Sequence, residues 1–118
     1  MKNLAPEITR QRLLMEGFYS VNVDQAVVKS YLLGIASHLD LRTYGAPTVH
    51  APSGLGKEGN QGFDAFVPLI DSGISLYVWS SAKFFASVLF TCKKFSTERA
   101  INYTKEFLAA PEIEYRVF

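Results

Sequence analysis

Cysteine is almost missing from this chain. A single Cys92 among 118 residues excludes an internal disulfide framework and a cysteine-rich zinc site. Histidine is nearly as scarce: only His38 and His50 occur. Neither has a second histidine or a carboxylate at metal-ligand spacing, so no metal is expected. Charge of one sign is lacking too. Twelve Lys and Arg against eleven Asp and Glu leave a formal net charge of +1, which argues against nucleic acid as a partner. No apolar run approaches the roughly 20 residues needed to span a bilayer. The stretch Met1 to Arg12 mixes charge and proline, without the apolar centre of a secretory leader. These absences predict a small cytoplasmic protein with no membrane partner. Residues 1–118 are expected to form one domain around one core, with 1–10 as a loose N-terminal arm.

Bulky apolar side chains are what the chain has in excess. Nine Phe, six Tyr and one Trp make 14% aromatic content, concentrated in segments that alternate like strands. Residues 11–20 place Leu13, Met15 and Gly17 on one face and Leu14, Glu16 and Phe18 on the other. Asn22 and Gln25 read as a capping box. Beyond them Val28, Tyr31, Leu32, Ile35 and Leu39 form one helical stripe, in which Gly34 suggests close packing against a sheet. Residues 42–50 are a weak strand candidate. Three stronger ones follow, Phe63 to Asp71, Ile74 to Trp79 and Lys83 to Cys92, with turns expected at Asp71-Ser72-Gly73 and Ser80-Ser81. Ser96 caps a second helix carrying Ala100, Ile101, Thr104, Phe107 and Leu108, and Glu112 to Phe118 alternates as a last strand.

The order β-α-β-β-β-β-α-β predicts an α+β fold. It is a two-layer sandwich, a mostly antiparallel sheet with two helices on one face. Both faces of the strands around Phe66 and Val88 are apolar, yet two helices can cover only one. A sheet-on-sheet homodimer is therefore expected.

Few residues suggest chemistry. The glycine-rich stretch Ser53 to Gly62 holds Gly56-Lys57, but Glu58 stands where a phosphate-binding loop needs Ser or Thr, and the glycine spacing fails. A hairpin loop or lid is the better reading. His38 complements a helix C-terminus, and His50 borders the glycine stretch. Cys92 reads as a small buried hydrophobe unless a base lies beside it. Glu16 and Asp64 are carboxylates within apolar strands, positions that are either at an edge or functional.

The run LIDSGISLYVWSSAKFFASVLFTC, Leu69 to Cys92, resembles the core motif of the small-chain, pyruvoyl-dependent S-adenosylmethionine decarboxylases of bacteria and archaea. Its most specific feature is Phe90-Thr91-Cys92, whose cysteine stands twenty residues beyond Ser72. Glu16-Gly17-Phe18-Tyr19 resembles the end of the family's opening strand. The resemblance implies an αβ sandwich that pairs into a four-layer αββα dimer and acts in polyamine (spermidine) synthesis. It also implies chain cleavage before Ser72, which would turn that serine into a covalent pyruvoyl group and electron sink for decarboxylation. Cys92 matches the family's proton donor.

The departures are concrete. The family's Glu-Ser-His reads Asp71-Ser72-Gly73, its processing histidine is Tyr77 and its processing serine Asp64, and its ribose-binding glutamate is Ser81. Tyrosine, with a pKa near 10, is a poor base at neutral pH, and an ionised Asp64 opposes a developing oxyanion. Ser72, Cys92 and Tyr77 are thus the catalytic candidates, and Glu16, Asp64, Asp71 and Ser81 the substrate-binding ones. A retained pocket is expected beside Ser72, Tyr77 and Cys92.

The leading expectation is a diverged, unprocessed member without a cofactor. It would bind a small amine or S-adenosylmethionine-like ligand, or regulate an active paralogue. The alternatives are a working pyruvoyl-dependent lyase, for S-adenosylmethionine or for arginine or ornithine, and a non-pyruvoyl enzyme acting on an adenosyl ligand.

Overall fold

In the computed structural model, residues 1–51 and 61–118 are described. The glycine-rich reading falls mostly on 52–60, outside the described residues. The elements run β1 (Gln11–Phe18), α1 (Gln25–His38), β2 (Thr48–His50), β3 (Gly62–Leu69), β4 (Ser72–Trp79), β5 (Phe84–Thr91), α2 (Thr97–Phe107) and β6 (Ile113–Val117). Six strands form one sheet in the order β2-β3-β4-β5-β1-β6. All five strand pairings are antiparallel. The expected order of elements and the two-layer α+β sandwich are what the structure has. The first strand of the chain is inserted between β5 and β6, a crossover no local pattern announces.

Strand alternation divides the sheet into two faces. Leu13 and Met15 of β1, Val67 of β3, Ile74 and Leu76 of β4, and Phe85 and Leu89 of β5 are fully buried beneath the helices. The stripe Val28, Tyr31, Leu32 and Ile35 of α1 meets them, with Ala100 and Leu108 at α2 completing the cluster. Tyr31 ties the layers together. Its hydroxyl donates to Ser87 Oγ at 3.0 Å and lies 2.8 Å from Thr104 Oγ1, and Ser87 donates on to the Ser75 carbonyl at 3.2 Å. Every polar group that this face buries there has a partner, as a low-dielectric interior demands.

Both helices end in a left-handed residue without using glycine. Asp40 (φ 57°) follows α1 and Ala109 (φ 47°) follows α2. The Leu41 and Ala110 N–H groups then reach back to the Ala36 and Lys105 carbonyls at 2.8 and 3.0 Å.

Several local expectations are corrected. The α1 cap is Asp24, whose Oδ1 accepts from the Val27 N–H at 2.8 Å, not Asn22. A carboxylate immediately before the first turn outcompetes the earlier amide. Gly34 makes room for the Tyr103 hydroxyl on α2, not for the sheet. Of residues 42–50 only Thr48–His50 is a strand, apart from a single bridge between Thr43 and Leu69, because Gly45 and Pro47 interrupt pairing. The β3–β4 turn is Ile70-Asp71, and Ser72 and Gly73 already belong to β4, paired with Leu69 and Pro68. Ser96 caps α2 as expected, accepting from the Arg99 N–H at 3.1 Å. No helix among the described residues is long and apolar enough to cross a membrane.

Candidate functional site

Among the described residues the other sheet face carries no helix. Phe18 is 61% exposed, Phe66 44%, Phe90 41% and Tyr77 37%. Antiparallel register places its side chains in rows across the strands. One row reads His50, Asp64, Tyr77, Ala86, Glu16, Glu114 from β2 to β6, and the next reads Thr48, Phe66, Ser75, Val88, Leu14, Arg116. A third holds Pro68, Gly73, Phe90 and Arg12, and the Arg12 guanidinium lies 5.5 Å over the Phe118 ring. Glu16 and Asp64 are on interior strands, so they are not edge carboxylates.

The predicted catalytic residues do not form one cluster. Ser72 and Cys92 meet at one end of the sheet, with Ser72 Oγ 3.3 Å from Cys92 Sγ. Cys92 is exposed just past β5, which corrects its reading as a buried hydrophobe. The Asp71 carbonyl accepts the Cys92 N–H at 2.8 Å. Ser72 has φ 122°, a region L-residues rarely occupy, so this junction is strained. Asp71 is tied to this junction through its backbone carbonyl.

Tyr77 lies five residues along β4, about 16 Å from Ser72 at about 3.3 Å per residue. Asp64 faces Tyr77 in register and is equally remote. Ser81 sits in the β4–β5 turn at the opposite end of the sheet. Within one chain, then, neither Tyr77 nor Asp64 reaches the Asp71–Ser72 bond. Gly73 leaves the space that the Phe66 ring occupies; a Cβ there would collide with it.

Among the cavities that open on the uncovered face, two bear on the candidate residues. One, of about 350 Å³, is lined by Thr48, His50, Asp64, Phe66, Ser75 and Tyr77 among others. The other, of about 270 Å³, is lined by Glu16, Glu112 and Glu114 with Phe18, Phe84 and Pro111. Glu16 and Glu114 are directly opposed in the β1–β6 register, a like-charge pair that costs stability unless a cation answers it. Phe84 packs on Phe18 and Trp79, at ring distances of 5.3 and 5.4 Å, and stiffens the cavity wall. Sequence reasoning singled out Glu16 but missed Glu112 and Glu114. Their alternation in the last strand was visible, but its pairing with β1 was not. Among the described residues no group of His, Cys, Asp and Glu is arranged to hold a metal.

Comparison with known proteins identifies the family and the fold. The family model described as S-adenosylmethionine decarboxylase matches residues 16–118. The chain belongs to the S-adenosylmethionine decarboxylase family. The crystal structure of the adenosylmethionine decarboxylase from Aquifex aeolicus VF5 superposes with a TM-score of 0.72 at 19% identity, covering 94% of this chain and 89% of that one. At that identity the likeness is one of fold. A sequence search of curated proteins gave no significant match. Ser72 and Cys92 are in contact at the sheet end, whereas Asp64 and Tyr77 lie in the middle of the uncovered face.

Proposed function

We propose that this chain is a diverged S-adenosylmethionine decarboxylase-like protein that stays uncleaved and binds a small cationic ligand, an amine or an adenosyl sulfonium. The observation carrying this reading is the cavity of Glu16, Glu112 and Glu114 walled by Phe18 and Phe84. Carboxylates attract a cation, and aromatic faces favour ammonium and sulfonium groups over phosphate. Support for the uncleaved state is chemical: Tyr77 and Asp64 stand where the resemblance implies a processing histidine and serine, and neither suits that proton transfer. The exposed apolar face supports pairing with a second copy, and the same face offers a route to regulate an active paralogue.

A second reading, a working pyruvoyl-dependent decarboxylase, is favoured by one specific arrangement. Ser72 is strained, its Oγ touches Cys92 Sγ, and the Cys92 N–H polarises the Asp71 carbonyl that a serine attack would address. The pyruvoyl group would be made from Ser72 itself and would supply an electron sink. Cys92 would hold a proton beside it.

Intact mass separates the two readings. The proposal expects one chain of 118 residues. Fragments 1–71 and 72–118, with a hydrazine-reactive carbonyl on the second, would establish the enzyme reading instead. Calorimetric titration with S-adenosylmethionine, arginine and ornithine then tests the ligand. Binding should weaken by about severalfold in Glu114→Gln and in Glu112→Gln, since each removes one negative charge from the solvent-facing rim of the cavity.

A further inference from the structure

Ser72 stands at φ 122°, and an L-residue keeps such a conformation only where its surroundings over-determine it. Much of what does so lies outside the β4–β5 hairpin. The connection that leaves α1, residues 39–44, runs beside the β3–β4 turn. Its Arg42 carbonyl accepts the Ile70 N–H at 2.9 Å, its Tyr44 N–H donates to the Pro68 carbonyl at 2.7 Å, and Thr43 bridges Leu69. These bonds fix the approach to Ser72. The same connection also reaches the far side of the junction. Lys93, the residue after Cys92, donates from Nζ to the Asp40 carbonyl at 2.8 Å. That carbonyl stands at the C-terminal end of α1, where a cation is favoured. Leu39 and Leu41 on either side of it are buried, so it is offered from an anchored segment.

Beyond Lys93 the chain is tied a second time. The Gln11 side-chain amide donates to the Phe95 carbonyl at 2.9 Å and accepts the Phe95 N–H at 3.0 Å, the two bonds that a residue of a neighbouring strand would make. Gln11 is paired with Thr91 in the β1–β5 register, and Thr91 Oγ1 donates to the Lys93 carbonyl at 2.6 Å. Cys92 therefore sits on a short segment held at Thr91, Lys93 and Phe95, while its own N–H is held by the Asp71 carbonyl. The bonds of Lys93 and Gln11 go to main-chain atoms of this frame. They can act on the Ser72–Cys92 contact only by placing it.

We propose that Lys93 and Gln11 are positioning residues: with the connection at 39–44 they brace the segment that carries Cys92, so that its thiol stays on the Ser72 hydroxyl. Lys93 and Asp40 are both exposed, so their bond adds little to overall stability, and its effect is on where Cys92 sits. The inference rests on the uncleaved reading above, since cleavage would consume the Ser72 hydroxyl.

Cys92 is the chain's single cysteine, so its rate of alkylation by iodoacetamide at one fixed neutral pH reads its position without a label. Intact mass is recorded first, and circular dichroism follows the fold of each variant. On the uncleaved chain, Lys93→Met and Gln11→Met should each raise the rate about threefold or more by freeing the thiol from Ser72. Lys93→Arg keeps both donor and charge and should stay near wild type. Two controls separate position from charge. Gln11→Met alters no charge, and Lys94→Met removes the same charge one residue further on, so it should leave the rate within about twofold. Ser72→Ala should raise the rate as the brace variants do, and neither of them should add to it, because the contact they support is already gone. A merely loosened fold would add. The brace is overturned if Lys93→Met leaves the rate at the wild-type value, if Lys94→Met equals it, or if it acts undiminished on Ser72→Ala. Should Gln11→Met fail to fold, Lys93→Met, at an exposed position, decides alone. Fragments 1–71 and 72–118 in the wild type would overturn the uncleaved reading by itself. The brace is then read from the extent of cleavage, which should fall about threefold or more in Lys93→Met and return in Lys93→Arg; unchanged cleavage overturns it.

Discussion

The two faces of one sheet follow different rules here. On the helix-covered face most inward residues are apolar and buried, and the polar atoms that enter, at Tyr31, Ser87 and Thr104, satisfy one another. On the other face phenylalanines stand exposed beside carboxylates and guanidinium groups that form no ion pair among the described residues. The first is a finished core. The second combines apolar area with unanswered charge, the composition of a surface that awaits a ligand or partner. Stability should therefore reside on one face and function on the other, and substitutions should separate the two.

The covered face should give the largest loss of stability. Phe85 is fully buried between β1 and β4 beneath the helices, so Phe85→Ala should destabilise the fold by about 3–5 kcal/mol in chemical denaturation, through lost burial and the cavity left behind. Val88, its counterpart on the uncovered face, is half-buried. Val88→Asp should leave the monomer's unfolding midpoint nearly unchanged. It should weaken self-association by about 3–5 kcal/mol, because the carboxylate would be desolvated without a partner at the centre of the interface. Light scattering over a dilution series reads this. An equally large loss of monomer stability would show that the two faces are not separable.

This division also explains what the sequence made legible. Period-2 alternation identified β1, β3, β4 and β5 and their apolar faces, since strand parity is local: Phe85 and Leu89 against Phe84, Val88 and Phe90 can be read from the strand alone. The α1 stripe was equally plain, because five residues at helical spacing define one side. The insertion of β1 between β5 and β6 was not legible, being set by long-range pairing, and with it the opposition of Glu16 to Glu114 stayed hidden. The same limit separated Tyr77 from Ser72. A motif read along the chain suggests proximity, but five strand residues carry a side chain about 16 Å away. The Ser72–Cys92 contact, twenty residues apart in sequence, was by contrast anticipated through the family motif and follows from the β4–β5 hairpin register.

Alkaline pH should probe the finished core without mutation. Burial pushes the Tyr31 phenol up to about 12 against an ordinary value of 10.0, its two hydroxyl partners opposing the rise only in part. Between those values the folded chain retains a proton that the unfolded chain loses. The contribution is complete below about pH 10 and falls away up to about pH 12, by about 2–3 kcal/mol. Urea unfolding from pH 8 to 11.5 should show this decline, and Tyr31→Phe should flatten it. A slope unchanged in Tyr31→Phe would assign the alkaline loss to Tyr19 and Tyr103, whose phenols burial also raises.

The smallest effect belongs to the junction where the two faces end. Ser72 holds φ 122°, a conformation that glycine adopts freely and serine does not. Ser72→Gly should relieve strain of about 1–3 kcal/mol while adding about 0.5–1 kcal/mol of unfolded-chain entropy, a net stabilisation of about 1 kcal/mol. Ser72→Ala keeps the strain and loses only the contact with Cys92, so it should be the less stable of the two. Measured on the uncleaved chain, this ordering isolates the backbone from the hydroxyl. Should Ser72→Gly prove the weaker variant, the backbone there is relaxed, and the strain that favours chain cleavage at Asp71–Ser72 is removed as an argument. The retained serine and cysteine would then be read as a packed pair at the sheet end, and the weight of function would shift further toward the carboxylates of the uncovered face.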